Sequence, residues 1–363
     1  MKVGILGGGQ LGRMLALEGR KLGLTFRFLE PAQPAPVDDL GEVIRAPYDD
    51  PEALDRFVDG LDVVTYEFEN VPVAATRHLV DRVPVHPAPS ALAVGQDRVS
   101  EKEAFRDADF LTAPFRAVDS LEELRDAVAE LGLPAVLKTR RMGYDGKGQT
   151  VLRAEADVAP AWERLGGVPL LLESFVPFQR ELSIIGVRGR DGASVFYPLV
   201  ENVHRDGILW TTVAPAPRVS PELQAEAEGH VRHFLDHHGY VGVLAIELFD
   251  VDGKLLANEM APRVHNSGHW TLDGAETSQF ENHVRAVCGL PLGSTAPRCP
   301  SAMLNFLGDV PPLDRVLRVP GAHPHLYDKS PRPGRKVGHV NVTGADAAQV
   351  AQRLAALEAL ALR

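Results

Sequence analysis

The sequence has little cysteine, no long apolar run and no excess of positive charge. Its two cysteines in 363 residues, Cys288 and Cys299, lack metal-site spacing, and we interpret them as reduced thiols and not as a disulfide framework. No apolar run approaches the roughly 20 residues that a membrane-spanning helix needs. The formal net charge of −11 disfavours a nucleic-acid-binding surface. We therefore expect neither a membrane nor a nucleic acid as partner.

The composition that remains is typical of a globular protein with more than one domain. Apolar residues make up 45% and charged residues 24% of the chain. A length of 363 residues predicts two or three domains, because one hydrophobic core usually supports about 100–200 residues. The apolar segment Met1–Leu6 is short, lacks a cleavage-site pattern and runs into glycines, so we interpret it as a strand and not as a signal peptide. We expect a cytoplasmic protein.

The first thirty residues have the pattern of a nucleotide-binding βαβ unit. A strand, a glycine turn, a helix and a second strand follow one another, and Gly7, Gly9 and Gly12 match G-x-G-x-x-G. Glu30 ends the second strand, about where an acidic residue binds the adenosine ribose in a dinucleotide site. On these residues alone the sequence predicts a nicotinamide-dependent dehydrogenase.

A second α/β unit begins near Asp97 and contains a glycine-rich loop. Lys138 ends an apolar strand, and the loop Gly143–Gly148 follows with three glycines and Lys147. Glycines free the backbone to fold over phosphates, and the lysines supply positive charge. The segment is not a Walker A motif, because the G-K-[ST] ending is absent, and a plain hairpin loop is the alternative. Glu173, on the next apolar strand, either lies in solvent at a strand edge or belongs to an adenine site packed by Leu171, Leu172 or their neighbours.

The segment 244–270 carries the strongest chemical signal. Two apolar strands flank Asp252-Gly253, which predicts a β-hairpin with Glu247 on one strand and Asn258 and Glu259 on the other. A two-residue turn would place Glu247 opposite Asn258, whereas a bulge at Gly253 would place it opposite Glu259. In both registers three oxygen ligands converge, as Mg²⁺ prefers. An ordinary hairpin also points carboxylates outward, but the polar run that follows, up to His269, favours a binding site.

Long segments of the chain resemble the ATP-grasp enzymes, and among them the family of 5-(carboxyamino)imidazole ribonucleotide synthases. The resemblance extends essentially end to end, and its most specific strings are GGGQLGRM, GYDGKGQ, GYVGV, NEMAPRVHNSGHWT and YDKSPRPGRKVGHVN. It implies a three-domain α/β ATP-grasp fold with an N-terminal Rossmann-like domain that holds no NAD. The expected division is 1–95 for that domain, 96–175 for the lid with the glycine-rich loop, 176–300 for the core with the metal site, and 301–363 for a C-terminal substrate-binding portion.

The resemblance also implies a role for individual residues. The expected ATP-binding residues are Arg98, Lys138, Gly143, Tyr144, Asp145, Gly146, Lys147, Gly148, Glu173, Ser174, Phe175, Val176, Glu181, His204, Asn258 and Glu259. Glu247, Glu259 and Asn258 would hold Mg²⁺, with two ions during turnover. The expected ribonucleotide-binding residues are Gln10, Leu11, Glu67, Tyr144, Asp145, Lys147, Arg263, His265, Asn266, Ser267, Lys329, Arg335 and Lys336. The loop departs from the family in one respect, because Lys147 stands where many members have arginine, and lysine lacks bidentate phosphate geometry.

The implied reaction is an ATP- and bicarbonate-dependent carboxylation of an aminoimidazole ribonucleotide. Bicarbonate would attack the γ-phosphate of ATP to give carboxyphosphate, and the exocyclic amine would attack that anhydride or the CO₂ released from it. Asp145 is the candidate for the amine proton, with Lys329 and Arg263 stabilising developing oxyanions. The family also implies a homodimer.

Three other functions stay open on the sequence alone. A related ATP-grasp ligase or carboxylase acting on another amine or on formate would share the nucleotide site and differ at residues 263–267 and 329–336. The dehydrogenase is motivated by Gly7–Gly12 and Glu30. A nucleotide-sensing protein without turnover is disfavoured because Glu247, Glu259 and Asp145 are all present.

Overall fold

The computed structural model describes residues 1–143 and 146–362, and in this part of the chain three β-sheets are flanked by helices. The first sheet lies at the N-terminus. Its elements are β1 (Lys2–Leu6), α1 (Gln10–Lys21), β2 (Thr25–Leu29), β3 (Glu42–Ile44), α2 (Pro51–Val58), β4 (Val63–Tyr66), α3 (Val73–Val80) and α4 (Pro89–Gly95). The strands are parallel in the order β3-β2-β1-β4. Helices cover both faces of such a sheet, which explains why β1 and β4 are almost wholly apolar.

The second sheet is small and antiparallel and carries the glycine-rich loop. Its elements are β6 (Phe115–Val118), α6 (Leu121–Leu131), β7 (Ala135–Thr139), β8 (Gln149–Leu152), α7 (Val158–Leu165) and β9 (Leu170–Ser174), in the strand order β6-β9-β7-β8. Helix α6 begins at the Ser120 cap, whose hydroxyl accepts from Glu123 N at 3.1 Å. Lys138 on β7 pairs with Gln149 on β8, so the glycine-rich loop joins the ends of two adjacent strands.

The third sheet is the largest, and the C-terminal segment is part of it. Its elements are α5 (Arg98–Asp107), β5 (Leu111–Thr112), β10 (Arg180–Arg188), β11 (Ser194–Phe196), β12 (Val200–Arg205), β13 (Ile208–Ala214), α8 (Pro221–His237), β14 (Gly242–Val251), β15 (Lys254–Ala261), α9 (Thr271–Gly274), α10 (Gln279–Cys288), β16 (Ser301–Leu307), α11 (Leu313–Val316), β17 (Ala322–Leu326), β18 (Lys336–Thr343) and α12 (Ala347–Ala361). The strand order is β17-β18-β16-β13-β12-β10-β14-β15-β5, and β11 pairs with β10. The strands after residue 300 therefore continue the same hydrogen-bonded ladder as the predicted metal hairpin.

Helix α10 joins the first sheet to the third. Its buried His283 accepts from Val243 N at 3.1 Å through Nδ1, so Nε2 carries the proton and donates to Thr65 Oγ1 at 2.8 Å. Burial lowers the pKa of His283 to about 3, which keeps the ring neutral. None of the helices in residues 1–143 and 146–362 is long and apolar enough to cross a membrane. The four-part domain division stays a prediction.

Candidate active site

A cavity of about 930 Å³ opens between the three sheets. Its walls come from the β1–α1 turn, the second sheet with its glycine-rich loop, and the third sheet. The predicted site residues that line it are Gln10, Leu11, Glu67, Arg98, Lys138, Gly143, Gly146, Lys147, Glu173, Ser174, Phe175, Val176, Glu181, His204, Glu247, Asn258, Glu259, Arg263, His265, Asn266, Lys329, Arg335 and Lys336. Gly148 and Ser267 are not among the lining residues, and Tyr144 and Asp145 lie outside the described residues.

The hairpin of β14 and β15 places both predicted carboxylates side by side. Asp252 and Gly253 form a two-residue turn in which both residues have positive φ, as the tight hairpin turn requires. Regular pairing would then put Glu247 opposite Asn258, but a β-bulge at Asn258 shifts the register so that Glu247 pairs with Glu259. The register is thus one of the two considered, and the bulge lies five residues beyond the expected Gly253. Because of it, the consecutive residues Asn258 and Glu259 both line the cavity.

The charges of the carboxylate pair are unequal. Burial and the neighbouring Glu259 raise the pKa of Glu247, whose Oε1 lies 3.4 Å from His265 Nε2. Burial alone would also raise the pKa of Glu259. Two cations outweigh this effect and lower its pKa: Arg98, whose Nη1 lies 3.2 Å from Glu259 Oε2, and Lys138. The pair therefore holds negative charge at the wall of the cavity, which a cation would stabilise.

The donor set of this pair fits a hard divalent cation. Asn258 Oδ1 is buried and accepts no hydrogen bond from any described residue. Residues 1–143 and 146–362 contain no cluster of three or more carboxylate, histidine or thiol groups placed to hold a metal. An ion held here would take two carboxylates and an amide oxygen and complete its shell with water and phosphate, as Mg²⁺ commonly does.

Glu173 forms a buried ion-pair network with two lysines. Its Oε2 lies 2.6 Å from Lys138 Nζ, and its Oε1 lies 3.0 Å from Lys102 Nζ. Burial alone would raise the pKa of Glu173, but the two lysines outweigh it and lower the pKa to about 2. The residue is 4% exposed, so the alternative of a strand-edge glutamate in solvent is wrong.

Sequence reasoning missed Lys102, although the chain contained a signal for it. Lys102 and Glu101 lie on α5 at helical spacing from Phe105 and Ala108, which are both core residues. A charged side chain on the apolar face of a helix needs a buried partner. That pattern therefore predicts a buried ion pair, although not its location.

The apolar wall beside Glu173 differs from the expected one. Leu171 and Leu172 are fully buried and do not line the cavity. Instead Val136 and Val151 line it, together with the stacked rings of Phe178 and Phe249, whose centroids are 4.5 Å apart. A flat aromatic base would pack against such a wall.

The glycine-rich loop approaches the third sheet closely. A Cβ added to Gly146 would lie 3.1 Å from Gly207 Cα, in the turn between β12 and β13, and both glycines have positive φ. On β12, His204 Nδ1 lies 2.7 Å from Glu181 Oε2. Burial lowers the pKa of His204, but the contact with Glu181 and the charges of Glu247 and Glu259 together outweigh it, so the net shift is upward.

The predicted ribonucleotide residues contact one another and two side chains that the sequence did not reveal, Glu69 and Asn305. Arg263 pairs with Glu69, and Lys329 donates to Gln10 of the first domain. Asn266 and Asn305 form a reciprocal amide pair, with N–O distances of 3.1 and 2.7 Å, and His265 Nδ1 lies 2.9 Å from Ser267 Oγ. Asn305 lies on β16, so the C-terminal segment positions a residue of the polar run that follows the hairpin. Lys336 begins β18 and Arg335 precedes it.

A carboxylate occupies the place where a dinucleotide phosphate would lie in the first domain. Glu67 accepts from Gly9 N and from Gly12 N, the latter at 2.7 Å, and Glu30 accepts from Gly8 N at 2.7 Å. The N–H groups at the start of a helix bind anions, but here they are already paired within the chain. The turn has the glycines of a dinucleotide site without room for its phosphates, which argues against the dehydrogenase.

We expect NADH to show no enhanced fluorescence with this protein, because Glu67 already takes the N–H groups of Gly9 and Gly12. The measurement is a fluorescence titration with NADH alongside a known dehydrogenase. Saturable enhancement that disappears on adding NAD⁺ would restore the dehydrogenase hypothesis.

The chain matches known families over most of its length. Residues 1–96 match the ribonucleotide synthetase preATP-grasp domain, residues 103–280 the ATP-grasp domain, and residues 301–353 the phosphoribosylaminoimidazole carboxylase C-terminal domain. N5-carboxyaminoimidazole ribonucleotide synthase of Pseudomonas aeruginosa is 54% identical over 360 residues, 99% of each chain. The predicted α/β fold class with these three domains is confirmed by the matches.

Solved structures agree with the sequence relatives. N5-carboxyaminoimidazole ribonucleotide synthetase from Thermus thermophilus is 54% identical, with a TM-score of 0.95 over 99% of this chain and 98% of that one. N5-carboxyaminoimidazole synthase from Aspergillus clavatus, solved in complex with ADP and 5-aminoimidazole ribonucleotide, is 32% identical, with a TM-score of 0.92 over 100% and 98% of the two chains.

Proposed function

The chain belongs to the family of N5-carboxyaminoimidazole ribonucleotide synthases, and we propose how its own residues carry out that family's reaction. It is an ATP-dependent carbon–nitrogen ligase of purine biosynthesis that carboxylates the exocyclic amine of 5-aminoimidazole ribonucleotide and releases ADP and phosphate. One observation carries the proposed roles. A single cavity is lined by the carboxylate pair Glu247 and Glu259, by Lys138, and by a basic set that includes Arg263 and Lys329.

The reaction has two bond exchanges. A bicarbonate oxygen attacks the γ-phosphorus of ATP, the bond to the β-phosphate oxygen breaks, and ADP leaves with carboxyphosphate as the product. The amine nitrogen then forms a bond to the carboxyl carbon, directly or after CO₂ is released in the cavity, and phosphate leaves. The nitrogen loses a proton, so a base must stand near the amine.

The phosphates of ATP are proposed to be held by Arg98, Lys138 and the loop residues Gly143–Gly148. Arg98 and Lys138 line the cavity on the side of Glu259 and lower the pKa of that carboxylate, so their charge reaches the place where phosphate oxygens would lie. The wall of Val136, Phe178 and Phe249 would pack the base, with the strand end Ser174–Val176 beside it.

Glu181 is proposed to accept from the ribose hydroxyls of ATP. His204 contacts the same carboxylate and fixes its orientation, which would leave the second carboxylate oxygen for the nucleotide. Charged acceptors form the stronger hydrogen bonds to hydroxyl groups.

Glu247, Glu259 and Asn258 are proposed to hold Mg²⁺, with two ions during turnover. The ions would neutralise charge on the transferred phosphoryl group and on its leaving oxygen. The protein contributes the placement of the ligands, because the bulge turns Asn258 toward the side of Glu259 and supplies an unpartnered amide oxygen. Arg98 keeps Glu259 ionised for this role.

The amine side is proposed to use Lys329, Arg263 and Asp145. Lys329 and Arg263 line the cavity and would stabilise the oxyanions of the carboxyl group as the new bond forms. Asp145, in the role that the family resemblance gives it, would take the proton of the amine. The further residues proposed to bind the ribonucleotide are Gln10, Leu11, Glu67, Tyr144, Lys147, His265, Asn266, Ser267, Arg335 and Lys336. The protein is also proposed to be cytoplasmic and to form a homodimer. Sedimentation of the purified chain would test the homodimer.

The first experiment follows ADP release from Mg-ATP with each substrate omitted in turn. We expect release to depend on both bicarbonate and 5-aminoimidazole ribonucleotide, and to be lost in Asp145→Ala. Turnover with another amine or with formate, and none with the ribonucleotide, would favour the related ligase. ADP release that persists in Asp145→Ala at the normal rate would remove this residue from the proposed mechanism.

A further inference from the structure

The β-bulge at Asn258 leaves backbone groups without partners in the ladder. Regular pairing of β14 with β15 runs from Val251↔Lys254 to Leu248↔Ala257 and resumes at Glu247↔Glu259. A bulge of this kind interrupts the ladder and turns N–H and C=O groups away from the neighbouring strand. Buried groups of this type must find other partners, since an unpaired one costs about 1–3 kcal/mol.

Helix α5 supplies partners for backbone groups on both sides of the bulge through two consecutive charged side chains. Lys102 Nζ donates to the carbonyl oxygens of Asn258, at 2.7 Å, and of Ala257, at 3.3 Å. Glu101 Oε1 accepts from Met260 N at 2.6 Å. Both side chains are buried, with exposed fractions of 1% for Lys102 and 3% for Glu101. The groups on either side of the shifted register are thus held from one turn of one helix.

We propose that Glu101 and Lys102, which we name the α5 clamp, are positioning residues that fix the register of β15 and thereby hold Asn258 and Glu259 in the metal-binding arrangement. The proposal rests on the proposed metal role of Glu247 and Glu259. Without the bulge, the turn at Asp252-Gly253 would impose alternating side chains. Asn258 would then face Glu247, and Glu259 would point to the other face of the sheet.

Lys102 also connects the hairpin of β14 and β15 to Glu173, which lies beside the wall that is proposed to pack the base. Its ammonium lies 3.0 Å from Glu173 Oε1, and the second oxygen of Glu173 is held by Lys138, which lines the cavity. The ammonium group of Lys102 therefore contacts the backbone of β15 directly. Through Glu173 it is also linked to Lys138, which is proposed to bind the ATP phosphates. A neutral side chain at position 102 would loosen both at once.

The test is the Mg²⁺ dependence of two clamp variants, Lys102→Met and Glu101→Leu. We expect the Mg²⁺ concentration for half-maximal activity to rise by about tenfold or more in each, as for other residues that position metal ligands. The KM for the ribonucleotide should change by less than about twofold, because its residues lie outside β15 and Arg263, which follows β15, is held by Glu69. Amide hydrogen exchange within 254–261 should become faster in both variants. Glu101→Leu leaves Glu173 and its lysines intact, so it separates loss of register from loss of the ion pair.

Two further variants make the outcome decisive. Arg27→Met removes a buried cation that pairs with Glu42 in the first domain, so it matches the loss of a buried charge but should leave the Mg²⁺ dependence unchanged. Glu259→Gln tests the metal site itself. If Glu259→Gln alters the Mg²⁺ dependence and the folded clamp variants do not, the clamp is refuted and the metal site stands. If Glu259→Gln leaves it unchanged, the proposed metal site fails, and the clamp's role in it fails too.

Discussion

Replacing Glu259 with glutamine is expected to lower kcat by about 10³-fold, because metal-ion stabilisation of a transferred phosphoryl group contributes several kcal/mol. Glutamine keeps the size of the side chain and removes its charge. Arg98, which lies 3.2 Å from the carboxylate, would then face the phosphates without its counter-charge, and Glu247 would be the remaining carboxylate of the pair. The affinity for ATP should change less than kcat, since Lys138 and the wall that is proposed to pack the base are unchanged.

The measurement is the rate of ADP release at saturating ribonucleotide and bicarbonate over a range of Mg²⁺ concentrations. Glu201→Gln is the matched control. Glu201 is a half-buried carboxylate of the same sheet, paired with Arg180 at 3.3 Å, and it does not line the cavity. If Glu259→Gln keeps more than about a tenth of the wild-type kcat at every Mg²⁺ concentration, Glu259 is not a ligand on which the chemistry depends.

Replacing Glu173 with glutamine is expected to lower the free energy of unfolding by about 3–5 kcal/mol, the usual effect of removing one partner from a buried ion pair. Lys102 and Lys138 would be left buried without their shared counter-charge. Chemical denaturation followed by circular dichroism measures this change. Glu130→Gln, in an exposed pair with Arg116 of the same small sheet, should cost less than about 1 kcal/mol. Equal effects of the two variants would mean that the buried network does not stabilise the fold.

The same network predicts how stability responds to acid. The lysines hold the pKa of Glu173 at about 2, below the ordinary value of 4.5, so its carboxylate stabilises the folded state above pH 4.5. That contribution is lost as the pH falls from 4.5 towards 2, where the unfolded chain binds a proton that the folded chain does not. Glu173→Gln lacks the titrating group. The difference in unfolding free energy between wild type and variant should therefore shrink between pH 4.5 and 3, and a constant difference would contradict the assignment.

The local pattern of the hairpin was predictable from the sequence, but its register was not. The Asp252-Gly253 signal correctly predicted the turn, and the residue types singled out Glu247, Asn258 and Glu259, which all line the cavity. The position of the bulge depends on the contacts of Asn258 with Lys102 and of Met260 with Glu101, which are 156 and 159 residues apart in the chain. Turn chemistry alone favours the other pairing, so a distant helix determines which pair of side chains faces the cavity.

In the glycine turn between β1 and α1, the backbone was predictable from the sequence but the group bound in the turn was not. Gly7, Gly9 and Gly12 correctly predicted a strand, a tight turn and a helix, yet the same residues suggested a cofactor that the turn has no room for. The group that fills the turn, Glu67, follows β4 and lies 55 residues from Gly12. Periodicity and spacing describe the backbone, whereas the occupant of the turn depends on tertiary structure. The function was predicted from the family-specific sequence strings, because these strings contain residues from all three walls of the cavity.

The continuity of the third sheet has a consequence for the shape of the cavity. Glu247 on β14 and Lys336 on β18 are five strands apart in the ladder, which in a flat sheet would be about 24 Å. Glu247 and Lys336 nevertheless line the same cavity, so the sheet curls between them. The distance between the proposed phosphoryl-transfer end and the proposed ribonucleotide end of the cavity thus depends on backbone curvature. Trimming side chains on the wall would enlarge the cavity locally, whereas a substrate of different length would require a sheet with different twist.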